Sequence, residues 1–122
     1  MITGIGIDLT EIERIRAAIA RHGNRFLDRL FTLKEQQYAL SHRDPVPTFA
    51  GRFAAKEAIA KALGVGIGAE LAWTDIEILN IATGKPEVQL SENVQATFGR
   101  PQLLISISHS KTHATAIAIW QR

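Results

Sequence analysis

The spacing of apolar and polar positions changes along this chain, and the changes mark out its elements. Ile5 and Ile7 alternate with Gly4 and Gly6 as far as Asp8, which predicts a strand over residues 2–8. The glycines permit close approach of a backbone or a ligand, but they lack the third glycine of a dinucleotide fingerprint. Thr10 and Glu13 have capping-box spacing, and Ile12, Ile15 and Ile19 follow as the apolar stripe of a helix that Gly23 stops. Asp8 then falls at a strand-to-helix junction, near the positive end of a helix. Arg14 and Arg21 lie two turns apart on another, exposed side of that helix. Phe26, Leu27, Leu30 and Phe31 form a short apolar cluster. Thr32 and Glu35 repeat the capping box and open a helix through about Leu40. Asp44-Pro45 and Pro47 mark a loop over 41–47.

A long helix is predicted over residues 48–63, with Ala55, Ile59, Ala62 and Leu63 as its core stripe. Glu57 lies about 200° around the helix from Ile59 and faces away from that stripe. Lys61 follows Glu57 by one turn. After a glycine-rich stretch, Gly64-Val65-Gly66-Ile67-Gly68, the chain becomes strand-like. Ile76 and Ile78 alternate with Asp75 and Glu77 within 73–79, and Thr83-Gly84-Lys85-Pro86 turns into a short strand over 87–90. Ser91 caps a short helix reaching Phe98. Residues 103–108 and 114–120 read as two final strands joined across His109–His113. The plan is α+β, with helices mainly in the first half packed on an antiparallel-rich sheet.

At 122 residues the chain is read as one domain, residues 1–122. It has no cysteine, which excludes thiolate catalysis, disulfides and Cys-ligated metal sites. The N-terminal stretch lacks the basic region and long apolar run of a signal peptide, so a cytoplasmic location and no membrane span are expected. The net charge of +2 hides an asymmetry: from Arg14 to Lys61 there are ten Lys/Arg against four Asp/Glu. That surplus favours an anionic partner. An acidic protein and nucleic acid are both candidates, though aromatics do not interleave with the basic residues and no nucleic-acid motif is present. A noncatalytic basic module binding either one is the alternative reading; a structural oligomerisation protein is a third. Neither accounts for Asp8 together with Glu57 and Lys61. Two carboxylates and a lysine point to a metal and a phosphate, and so to a phosphoryl-type transferase.

Four separated segments carry a family resemblance. They are Gly4-Ile5-Gly6-Ile7-Asp8-Leu9 with Ile12-Glu13-Arg14; Phe31-Thr32-Leu33-Lys34-Glu35; Arg52-Phe53-Ala54-Ala55-Lys56-Glu57-Ala58 with Lys61-Ala62-Leu63-Gly64; and Ser106-Ile107-Ser108-His109-Ser110. Their order and spacing resemble the holo-acyl-carrier-protein synthases, the short type of 4′-phosphopantetheinyl transferase. Val65 departs from the threonine that the family often has between two glycines. The resemblance implies that fold and transfer of 4′-phosphopantetheine from coenzyme A to a serine of apo acyl carrier protein, with Mg²⁺ as cofactor. It also implies a homotrimer with active sites between protomers. It makes Asp8 and Glu57 metal ligands and Lys61 the contact to the coenzyme A diphosphate, these three forming the catalytic group. Arg52 and His109 become further coenzyme A phosphate contacts. Arg14 matches a carrier-binding arginine, and helix-face charge adds Arg21 and Arg25.

Overall fold

The structure, a computed structural model, describes residues 1–122. Strand β1 (Ile2–Glu11) leads into helices α1 (Ile12–His22), α2 (Asn24–Leu30), α3 (Leu33–Leu40) and α4 (Val46–Leu63). A hairpin of β2 (Ile76–Asn80) and β3 (Pro86–Leu90) follows, then α5 (Glu92–Thr97), β4 (Gln102–His109) and β5 (His113–Gln121). The antiparallel strands form a three-stranded sheet, ordered β1-β5-β4, and the separate two-stranded β2-β3 sheet.

Helix α4 lies across the inner face of the three-stranded sheet. Ala54, Ala55, Ala58, Ile59 and Ala62 on it are buried against Ala116, Ala118 and the β2 residues Ile76 and Ile78. Small residues on both sides make the contact close. A Cβ added to Gly4 would stand 2.0 Å from the Ala62 carbonyl oxygen, and one on Gly6 1.9 Å from that of Ala58. The two glycines therefore let β1 lie directly on the helix backbone. A second apolar cluster joins α1, α2, α3 and the first half of α4 around Phe31 and Phe49.

Helix α3 starts as its sequence predicts: the Thr32 hydroxyl accepts from the Glu35 amide, and the Glu35 carboxylate accepts from Thr32 N–H at 2.9 Å. Other boundaries differ. Helix α4 begins at Val46, inside the expected loop, because Pro47 fits the first turn, where no amide hydrogen bond is lost. The 26–31 cluster is mostly helix α2, too short to display a helical period. Trp73–Asp75 is a 3₁₀ turn before β2.

The largest correction concerns Thr10. It does not cap α1: the N-cap is Glu11, with no side-chain cap bond. The β1–β5 ladder continues past Asp8, pairing Leu9 with Thr115, Thr10 with Ala114 and Glu11 with His113. Backbone pairing with a strand from the other end of the chain overrides the local capping pattern. Asp8 thus sits within a strand, opposite Ala116, and not at a helix end.

Candidate active site

Residues of β1 alternate between two faces. Gly4, Gly6, Asp8 and Thr10 point inward to α4, while Ile5, Ile7 and Leu9 point outward and remain exposed. Asp8 therefore emerges beside the C-terminal half of α4, where Glu57 and Lys61 project. Lys61 Nζ donates to the Ile7 carbonyl at 2.9 Å and to Asp8 Oδ1 at 3.3 Å. Its partners lie across the helix–strand seam, although Glu57 is one turn away on the same helix. The other Asp8 oxygen, Oδ2, accepts the Thr10 hydroxyl at 2.8 Å.

Asp8 and Glu57 line one cavity of about 350 Å³, together with Thr10, Arg14, Phe26 and Phe53. Burial, then the negative charge of Asp8, push Glu57 above the ordinary glutamate pKa, with Lys61 acting in the opposite direction. Two carboxylates that repel one another in a half-buried cavity are a place where a cation is favoured. No third His, Cys, Asp or Glu completes a ligand cluster. That donor set suits Mg²⁺, which needs only one or two carboxylates when waters and phosphate oxygens fill its remaining positions.

A neighbouring cavity of about 520 Å³ shares Ala18, Phe26 and Phe53 with the first. Phe53 and Trp73 stack in it with ring centroids 5.0 Å apart, and His22, Arg25 and Arg29 rim it. Of the expected carrier-binding arginines, Arg14 thus lines the Asp8 cavity and Arg25 the adjoining groove, while Arg21 is exposed and borders neither. Sequence reasoning misses Arg29. It lies one turn after Arg25, a signal that becomes readable only once α2 is known to be a helix.

Arg52 and His109 lie elsewhere. They line a third cavity, of about 280 Å³, with Tyr38, His42 and Asn80. It shares no residue with the Asp8 cavity. Arg52 and Lys61 are nine positions apart on α4, which places them on roughly opposite sides of the helix. The Arg52 guanidinium is buried, donates to the Asn80 side chain and stacks over the Tyr38 ring at 5.2 Å. Its Nε has no partner. A buried guanidinium that pairs directly with no carboxylate and has one N–H unsatisfied has capacity for an anion.

Comparison with known proteins settles the family. The model of the 4′-phosphopantetheinyl transferase superfamily matches residues 4–118. The chain belongs to that superfamily. This transferase is 57% identical over 118 residues to the holo-[acyl-carrier-protein] synthase of Chlamydia pneumoniae, covering 97% of the chain and 96% of the relative. It is 53% identical over 120 residues to that of Protochlamydia amoebophila, covering 98% of each. Among solved structures it is similar to the Helicobacter pylori holo-[acyl-carrier-protein] synthase in complex with coenzyme A. The TM-score there is 0.88 at 37% identity, with 96% of this chain and 99% of that one covered. The Neisseria meningitidis synthase superposes with a TM-score of 0.91 at 32% identity over the whole of both chains.

Proposed function

We propose that this transferase moves the 4′-phosphopantetheine arm of coenzyme A onto a serine hydroxyl of an apo acyl carrier protein, releasing adenosine 3′,5′-bisphosphate. The observation that carries the reading is the meeting of Asp8, Glu57 and Lys61 at the seam between β1 and α4. The serine oxygen bonds to the phosphorus bearing the pantetheine arm, the bond from that phosphorus to the leaving phosphate breaks, and the hydroxyl proton is lost. Glu57, assigned here as a metal ligand, is also assigned to orient the incoming serine hydroxyl and take up its proton, directly or through a water. Lys61 brings positive charge to the diphosphate, where charge is redistributed during transfer. Asp8 and Glu57 would hold Mg²⁺, which when bound supplies charge neutralisation to the diphosphate oxygens.

Arg52 and His109 are assigned to a phosphate of the donor, and the unsatisfied Nε of Arg52 supports this. Their separation from Lys61 by the width of α4 supports a donor site completed between copies of the chain. So does the outer face of the three-stranded sheet, where Ile5 and Ile7 are each 63% exposed and Leu9 is 66% exposed. Such a face calls for cover, and a homotrimer is the assembly proposed. Arg14, in the Asp8 cavity, and Arg25, on the adjoining Phe53–Trp73 groove, are assigned with Arg21 to the acidic carrier. The sharing of α4 by both apolar clusters supports residues 1–122 as one transferase domain. No helix is long and apolar enough to cross a membrane, and a cytoplasmic location remains the proposal.

The test is direct. The chain is incubated with apo carrier protein, coenzyme A and Mg²⁺, and the intact carrier is weighed. A gain of one phosphopantetheine group, abolished by chelation of the metal, is expected. An unchanged carrier mass with folded protein, across several apo carriers, would refute the reading. Light scattering at assay concentration tests the trimer, and an active monomer would overturn the shared site.

A further inference from the structure

Thr10 is buried, 8% exposed, on the inner face of β1. Freed from capping α1, its hydroxyl donates to Asp8 Oδ2 at 2.8 Å, and it lines the cavity that holds Asp8 and Glu57. The two residues are neighbours on one strand face, and the β1–β5 ladder fixes the backbone of both. The Asp8 carbonyl is also tied down, accepting the Thr115 hydroxyl at 2.8 Å. Of the side-chain torsions left to Asp8, that of the carboxylate is the softest, since terminal torsions of this type have broad wells. Thr10 holds one carboxylate oxygen while Lys61 approaches the other at 3.3 Å.

We infer that Thr10 is a positioning residue for this site: its hydroxyl sets the rotation of the Asp8 carboxylate and so the direction of the lone pairs offered to a divalent cation. Without that bond, the carboxylate rotates toward Lys61 and is spent on the ammonium. The inference rests on reading Asp8 as a metal ligand. It asks of Thr10 what partners of ligating carboxylates do generally, which is to orient the ligand and tune its affinity.

The experiment titrates Mn²⁺ into the full chain with coenzyme A present and follows the electron paramagnetic resonance signal of the free ion. Thr10→Val keeps the shape and removes the donor, and should weaken Mn²⁺ binding by ~10–100-fold. Thr10→Ser keeps the donor and should bind close to the parent. Asp8→Asn should bind Mn²⁺ far more weakly than either. Thermal melting of each variant separates a lost fold from a lost orientation. Parental Mn²⁺ affinity in folded Thr10→Val, with Asp8→Asn impaired, overturns the role of Thr10 and leaves Asp8 as a ligand. Parental affinity in Asp8→Asn overturns the Asp8 reading, and the inference with it. If Thr10→Ser fails as badly as Thr10→Val, the hydroxyl is not the cause and the inference is likewise wrong.

Discussion

Helix α4 carries two lysines, five positions apart, in opposite circumstances. Lys56 is completely buried. Its ammonium donates to Glu35 Oε1 and the Leu30 carbonyl, both at 2.7 Å, and to the Trp73 carbonyl at 3.1 Å. All three of its donors are used. Glu35 in turn accepts the amides of Thr32 and Ile78. Burial pushes the Lys56 pKa below the ordinary lysine value, and Glu35 opposes that shift. Lys61 is half exposed, and its Asp8 partner is a carboxylate with solvent access. One lysine ties α2, α3 and β2 to the middle of α4 with nothing left to give. The other keeps a charge at an opening where a ligand can take it. Residue type therefore does not separate structural from chemical roles here; the number of satisfied donors and the access of solvent do.

The largest effect should come from breaking the buried pair. Lys56→Met leaves Glu35 charged or protonated among apolar groups, and removing one partner of a buried pair costs ~3–5 kcal/mol. Denaturant unfolding should show that loss, and the double variant Lys56→Met/Glu35→Gln should recover part of it. Lys61→Met should invert the pattern. Its ammonium is half exposed, so stability should change little. Turnover should fall by roughly 10²–10³, the cost of removing one preorganised stabiliser of developing charge. If Lys61→Met unfolds the chain while Lys56→Met stays folded and slow, the two roles have been assigned the wrong way round.

Between these two cases lies the packing that sets Lys61 against Asp8. In Gly6→Ala the new methyl meets the Ala58 carbonyl at 1.9 Å, so β1 and α4 must separate. Overpacking of this kind costs ~1–3 kcal/mol. The seam carrying Asp8 and Lys61 should open with it, so turnover and melting temperature should fall together. A fully active, fully stable Gly6→Ala variant would show that the close approach is dispensable.

The sequence reveals a good deal of this fold, and what it leaves hidden has common causes. Small and apolar residues at helical spacing announce α4, and Ile76/Ile78 alternation announces β2, because each pattern is local. Asp8, Glu57 and Lys61 are readable because their spacings recur in a known family. Lys56 is not readable as a core residue, since a lysine in a helix ordinarily projects into water, and its three acceptors come from distant segments. Thr10 misleads for a related reason: its capping pattern is local and its strand partner is more than a hundred residues away. The division between Lys61 and Arg52 follows from helix rotation alone, but it matters only once both are seen to line different cavities. Reading Ile5 and Ile7 as strand residues is correct, and the strand runs on past the expected end through Leu9, yet the face these three occupy points away from α4 and stays exposed.

The smallest expected effect tests whether the basic rim beside Lys61 is chemical or merely electrostatic. Arg14 is exposed, has no ion-pair partner and borders the cavity of Asp8 and Glu57. If it docks an acidic carrier as proposed, replacing it by glutamate should set like charges together and weaken encounter. A single surface pair is worth ~0.2–1 kcal/mol, so carrier KM should rise only about 1.4- to 5-fold. Coenzyme A binding should stay near the parental value. Raising the salt should shrink the difference, because screening weakens both the lost attraction and the new repulsion. An unchanged carrier KM at low salt would remove Arg14 from the docking surface. Loss of coenzyme A binding instead would move it into the donor site proposed around Lys61.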